Sequence, residues 1–283
     1  MKNSAFISKI GKKDLHEFID LCKKIGIGID EEKFESVVSN TMKYLNGDKG
    51  KRNELRCMQE IENRWYKSLE NGSPDFSVYD DIYYLADAWV CWKKYSREYI
   101  KSIESEKSLA TRLEDGTWGN LKSIKDYIGK VKRIADLGCG MGYTSASLKQ
   151  LFNCDLYATN LEGTNQYKIC EIIAKECGFN LLPDFNNIGY VDLVFASEYF
   201  EHFQAPLEHL SEVIDKLKPK YIIFANTFNA KSIGHFPEYK YGLFSCNGKS
   251  MSRFFTQELK IRKYRKVKTN CFNDRPNLYE YVG

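Results

Sequence analysis

The stretch KRIADLGCGMGYTS, residues 132–145, decides how the second half of the chain is read. An apolar run over 133–137 carries an acid, Asp136, and three glycines follow within five positions: Gly138, Gly140 and Gly142. Glycine takes positive φ without steric cost and lets a ligand lie against the main chain. A helix over 143–152 would then offer the free N–H groups of its first turn to an anionic group. Strand, glycine turn, helix is the layout that seats a nucleotide-like ligand at the point where the strand order of a parallel sheet reverses.

Outward from this stretch, strands and helices alternate. The pattern predicts strands over 155–159, 191–196 and 221–225, and helices over 164–177, stopped by Gly178, and 206–217, ended by Lys218-Pro219. Such alternation predicts an α/β domain, a parallel sheet with helices on both faces. Residues 265–269 and 277–282 read as a closing hairpin at the sheet edge. The first ~115 residues read as helices. Leu15, Phe18, Ile19 and Cys22 share one face, Asp30 is a fitting N-cap for a second helix, and NGSP (71–74) is a break. A long aromatic helix follows, with Tyr79, Ile82, Tyr83, Ala86, Val90, Trp92, Tyr95 and Tyr99; core packing explains it better than a substrate pocket lined by its rings or by Arg97. LEDGTWGN (113–120) breaks the pattern. It sets the expected division into a helical N-terminal region, 1–115, and a ligand-binding domain, 116–283.

Composition bounds the rest. The 283 residues are 43% hydrophobic and 28% charged, enough for a core in a soluble protein. No apolar run approaches the roughly 20 residues of a membrane helix, and no secretory leader is legible at the N-terminus. Nine cysteines without a CxxC pair suit reduced thiols, so a cytoplasmic setting is expected. The net charge of +4 permits acidic partners without demanding them.

Glycine spacing narrows the ligand. Dinucleotide enzymes use G-x-G-x-x-G, whose third glycine would fall on Tyr143; here it comes one residue early. ADLGCGMG, residues 135–142, instead resembles the first motif of the class I S-adenosylmethionine-dependent methyltransferases. VDLVFASEYFEHFQAPLEHLSEVIDKLKPKYIIFA, residues 191–225, is similar to a later block of the same family: strand, Glu-His pair (Glu201-His202), turn with Pro, helix, Leu-Lys-Pro, strand. The resemblance covers about residues 125–283 and implies a Rossmann-like seven-stranded methyltransferase sheet.

It also implies a site for S-adenosyl-L-methionine. Asp136, Gly138, Cys139, Gly140 and Gly142 would seat its methionine end, with Ser197 and Glu198 contacting the same portion. Asp184 and Phe185 would lie at the adenine, although a solvated turn after Pro183 explains Asp184 equally well. The family places an acid on the ribose hydroxyls; here Asn160 stands at that place, with Glu162 two residues on, and either would do the work. Asn lacks the charge-assisted strength of a carboxylate.

Methyl transfer needs alignment of nucleophile, methyl and sulfur, and often loss of one proton. His202 and His235, both following strands at the carboxyl edge, are the candidate bases; ordering of its loop is the other reading of His202. His16 and His209 are expected on helix surfaces. Glu198, Glu201 and His202 are metal-ligand types, but one short loop is not a complete site, and no metal is expected. The basic tract 260–268 reads as a strand with exposed charges rather than a phosphate contact. The expected function is methyl transfer to an O or N atom of a small molecule. The alternatives are a nucleic-acid (RNA or modified base) methyltransferase and a non-catalytic methyltransferase-like partner subunit.

Overall fold

The structure is a computed structural model that describes residues 10–48, 56–271 and 275–283. Four helices come first: α1 (Lys12–Lys24), α2 (Glu31–Leu45), α3 (Arg56–Glu70) and α4 (Ile82–Glu104). Asp30 caps α2 as expected, its carboxylate accepting from Lys33 N. α1 buries Phe18, Ile19 and Cys22 on one face, and Phe18 stacks on Trp89 of α4 at 4.6 Å. α4 is the axis of this region: Leu85, Ala86, Trp89, Val90, Tyr99, Ile100 and Ile103 are all buried, and α2 and α3 pack on it.

The helical run ends at Glu104. The expected junction at 115/116 falls inside a β-hairpin, β1 (Leu109–Arg112) and β2 (Trp118–Lys122). LEDGTWGN supplies its turn and most of its second strand, and Leu113 N donates to Thr117 O at 2.8 Å across it. A short helix, α5 (Ile124–Ile128), leads into the sheet.

The main sheet contains β3 (Arg133–Leu137), β4 (Asp155–Thr159), β5 (Asn180–Leu182), β6 (Leu193–Ser197) and β7 (Tyr221–Ala225), connected by α6 (Tyr143–Phe152), α7 (Asn165–Cys177) and α8 (Pro206–Leu217). After a small hairpin of β8 (Glu238–Tyr241) and β9 (Phe244–Asn247), α9 (Gly248–Ile261) leads to β10 (Tyr264–Val267) and β11 (Asn277–Tyr281). The strand order is β10-β11-β7-β6-β3-β4-β5, with β11 antiparallel to both neighbours and the other neighbours parallel. This is the Rossmann-like seven-stranded arrangement. Every residue of β6 and β7 is buried, as strands covered on both faces require.

The chain moves outward from β3 in both directions, to β4 on one side and β6 on the other. The glycine turn therefore leaves the sheet at its switch point, where ligands bind in open α/β sheets. α4 is fastened to the helix that follows this turn. Trp89 Nε1 donates to Tyr143 Oη at 3.0 Å, and the Ser96 and Thr144 hydroxyls lie 2.6 Å apart. One hydrophobic core runs from α1 through to β11.

The β1–β2 hairpin, β5, the β8–β9 hairpin and α9 go beyond the sequence reading. α9 was hidden by its composition. Its buried apolar residues, Met251, Phe255 and Leu259, are spaced by four, but Ser252, Arg253, Thr256, Gln257 and Glu258 lie between them.

Candidate active site at the glycine turn

Positive φ at Gly138 (67°), Gly140 (57°) and Gly142 (84°) bends the chain sharply from β3 into α6. The turn is tied to β4 by Cys139 N donating to Thr159 O at 2.9 Å. Asp136 is fully buried, accepts from Ser145 Oγ at 2.6 Å, and has its carboxyl pushed up to about 7 by burial. It thus fastens α6 to β3 from inside the fold. Cys139 also turns inward, its thiol 3.5 Å from that of Cys170. Gly142 meets the same interior: a β-carbon there would fall 2.8 Å from Cys170 Sγ.

Gly138 and Gly140 face the other way, toward the seat expected for a ligand. That face is covered by rings of the protein itself. A β-carbon on Gly138 would fall 2.5 Å from Tyr199 Cδ2, and one on Gly140 would fall 2.4 Å from Trp92 Cε2. Tyr199 follows β6 directly, and Trp92 comes from α4. The Tyr199 hydroxyl pairs with His209 Nε2 at 2.8 Å. His209 stacks on Phe203 at 3.7 Å and meets the edge of Phe185 at 5.5 Å. His209 is therefore a packed residue, not the surface residue expected, and burial pushes its imidazole down to about 4. Sequence spacing placed it on α8 but could not show that the loop before α8 folds back over it.

The other expected cofactor residues are placed as follows. Asn160 stands just past β4; its Nδ2 donates to Gly140 O at 2.7 Å and its Oδ1 accepts from Leu161 N at 2.8 Å. Its amide is spent on holding the glycine turn. Glu162 is exposed in the turn before α7. Asp184 is exposed and accepts from Asn186 N at 2.8 Å, the side-chain turn that a solvated Asp makes. Phe185 is buried against α8 through His209 and Lys216. Ser197 ends β6, buried beside Tyr99. Glu198 has φ of 49° and reaches Arg275 Nη1 at 3.6 Å.

A second polar group lies at the same edge. Glu201 is fully buried; its Oε1 accepts from Thr227 N at 2.8 Å, and its pKa is raised by burial and by the Glu198 charge. His202 Nδ1 pairs with Tyr79 Oη at 2.9 Å, and its ring meets that of His235 edge-on at 4.9 Å. Burial pushes His202 down to about 3. His235 pairs through Nδ1 with Ala230 O at 2.9 Å, and burial lowers its pKa too. Trp65 Nε1 donates to His235 O at 2.8 Å, so α3 as well as the Tyr79 turn closes over this group. Trp65 was not legible as a site residue, and the rings of Tyr79 and Trp92 were expected in the core rather than at a pocket. Tyr79 lies in the 3-10 turn Phe76–Asp80 ahead of α4, not on the long helix expected.

Residues 135–225 match the family model described as a methyltransferase domain. The matched segment, from β3 to β7, is about a third of the chain and is similar to a methyltransferase domain. S-adenosyl-L-methionine is the cofactor of that family. No curated protein matches the sequence. Among solved structures, the chain is similar to the N-terminal domain of EvdMO1 with S-adenosylhomocysteine bound, at 17% identity over 33% of this chain and 42% of that one, with a TM-score of 0.30. It is similar to an S-adenosylmethionine-dependent methyltransferase from Clostridium acetobutylicum, at 13% identity over 54% and 85%, TM-score 0.39. It is similar also to the ribosomal protein L11 methylase of Lactobacillus delbrueckii subsp. bulgaricus, at 15% over 54% and 72%, TM-score 0.36. The chain spans about two fifths of the length of the first of these.

The chain has the scaffold that the sequence reading expects of a cofactor seat: the switch point, the left-handed glycines and the buried acid. The seat itself does not fit the cofactor in this conformation. A methionine moiety and the rings of Tyr199 and Trp92 would compete for the same faces of Gly138 and Gly140. Among the described residues no helix is long and apolar enough to cross a membrane.

Proposed function

We propose that this chain is an S-adenosylmethionine-dependent methyltransferase acting on an O or N atom of a small molecule, with a cofactor seat that opens when Tyr199 and Trp92 swing aside. The glycine turn at the switch point carries this reading: three left-handed glycines follow a strand whose buried acid locks the next helix. Such a turn lets a ligand lie against the main chain once the covering rings move, at the entropic cost that each glycine carries.

A small acceptor suits the polar group around Glu201, His202 and His235, which is buried under Trp65 and Tyr79. A nucleic acid would need a basic surface reaching this edge. The basic tract 260–268 instead ends α9 and forms β10, an edge strand separated from β3 by β11, β7 and β6. Exposed Arg265 and Lys266 on that strand serve to block edge-to-edge pairing. In this reading the helical N-terminal region walls the acceptor pocket. His202 is held by Tyr79 and positions the loop. His235 keeps an unprotonated Nε2, because its Nδ1 donates to a carbonyl, and so can take up the acceptor's proton.

The covered seat favours a second reading, a non-catalytic methyltransferase-like partner subunit. Titration of the purified protein with S-adenosylmethionine and S-adenosylhomocysteine, by calorimetry, separates the two. Binding by the wild type or by Tyr199→Ala, abolished by Gly140→Arg, supports the enzyme. No binding by any well-folded form supports the partner subunit.

A further inference from the structure

Glu198, Glu201 and His235 each offer one ligand atom, and these atoms all lie within 4.8 Å of one another. They come from separate segments: the loop after β6 gives both carboxylates, and the loop after β7 gives the imidazole. Two facts make this more than an acidic cluster. Glu201 has no solvent exposure, and its Oε2 is buried without a hydrogen-bond donor, while Oε1 is satisfied by Thr227 N. A buried carboxylate oxygen lacking a donor is expensive. His235, meanwhile, has its Nδ1 paired with Ala230 O. That carbonyl fixes the tautomer and leaves Nε2 as the ligating nitrogen, the arrangement that orients metal-bound histidines.

Charge balance points the same way. Arg275 lies 3.6 Å from Glu198 and compensates one carboxylate. The second is left to a proton or a cation. His202 stands outside the group: among the described residues it is His235, not His202, whose ring nitrogen lies with both carboxylates.

We propose that Glu198, Glu201 and His235 bind one divalent first-row transition-metal ion. Two carboxylates and one imidazole are ligands for such an ion rather than for calcium, and three protein ligands leave positions open for water or an acceptor oxygen. When bound, the ion would take the His235 Nε2 lone pair, so His235 would act as a base only in the metal-free site, and the ion would supply a Lewis acid at the carboxyl edge of the sheet. The inference rests on the geometry of the three side chains and stands whether or not the chain transfers methyl groups.

Manganese(II) is the probe, because nine free cysteines would compete for zinc. The full chain is stripped with a chelator and titrated with Mn2+, and free ion is followed by electron paramagnetic resonance. The expected result is about one ion per chain, with affinity reduced on the order of 10-fold or more in Glu201→Gln and in His235→Gln. His16→Gln, at an exposed position on α1, should bind as the wild type does. Circular dichroism and melting confirm that each variant is folded. A wild type that leaves the Mn2+ signal unchanged overturns the proposal, and Glu201 and Glu198 then share a proton. Loss of binding in His202→Gln with retention in His235→Gln overturns the ligand assignment.

Discussion

The indole of Trp92 lies against Gly140 so closely that a β-carbon on that glycine would fall 2.4 Å from the ring. Helix α4 thus reaches across and fills a face that a cofactor-binding turn normally leaves open. Tyr199 does the same at Gly138 from the other side. Because both rings occupy the seat, removing them should improve binding. Trp92→Ala and Tyr199→Ala are expected to bind S-adenosylhomocysteine more tightly than the wild type, by on the order of 10-fold each, about 1.4 kcal/mol. Calorimetry checks this. Equal or weaker binding in both variants would show that the rings do not compete with the ligand.

Asn160 is expected at the ribose, yet its amide spans Gly140 O and Leu161 N. Asn160→Asp would supply an acid but lose the donor to Gly140 O and set a carboxylate beside a carbonyl. The variant should be less stable by about 1–3 kcal/mol. Urea unfolding of the two proteins measures the difference; an Asp variant as stable as the wild type would refute the role given to the amide.

Gly142 and Gly178 both have left-handed backbones, with φ of 84° and 71°. Their surroundings differ. A β-carbon on Gly142 would fall 2.8 Å from Cys170 Sγ and 3.0 Å from Phe179 Cζ, whereas one on Gly178 meets only Lys149 Cε at 3.8 Å. Gly178→Ala should cost about 1 kcal/mol, the backbone term alone, and Gly142→Ala roughly 1–3 kcal/mol more from overpacking. The order of the two urea midpoints is the check.

His202 is half-buried, and desolvation pushes its pKa down to about 3 from 6.5. A depressed folded pKa stabilises the fold above the unfolded value, and that contribution is lost as pH falls from about 6.5 toward 3. Between pH 4 and 6 the unfolded chain holds a proton at this imidazole and the folded chain does not. His202→Gln should therefore lessen the dependence of stability on pH by about 1.4 kcal/mol per pH unit in that window. Parallel urea series at several pH values give the slope, and identical slopes would contradict a neutral imidazole in the folded chain.

The sequence by itself determined the frame of this domain. Short apolar runs bounded by turn residues gave β3, β4 and β7, and helical spacing with Thr164, Gly178 and Pro206 at its ends gave α7 and α8. These signals are local: a cap, a left-handed glycine or a period of 3.6 acts within a few residues. The glycine turn was legible for the same reason, since its spacing is a backbone requirement. The β8–β9 hairpin and α9 were not, because their exposed faces dilute the apolar pattern. Only the tertiary structure decided what stands in the seat. Nothing near Trp92 in sequence shows that α4 docks on α6, and nothing near Tyr199 shows that its ring reaches Gly138 and His209. Likewise His235, not the adjacent His202, joins Glu198 and Glu201, because a loop some 30 residues on folds back to them. Contacts between distant segments depend on how whole elements pack, and no local rule in the sequence encodes that.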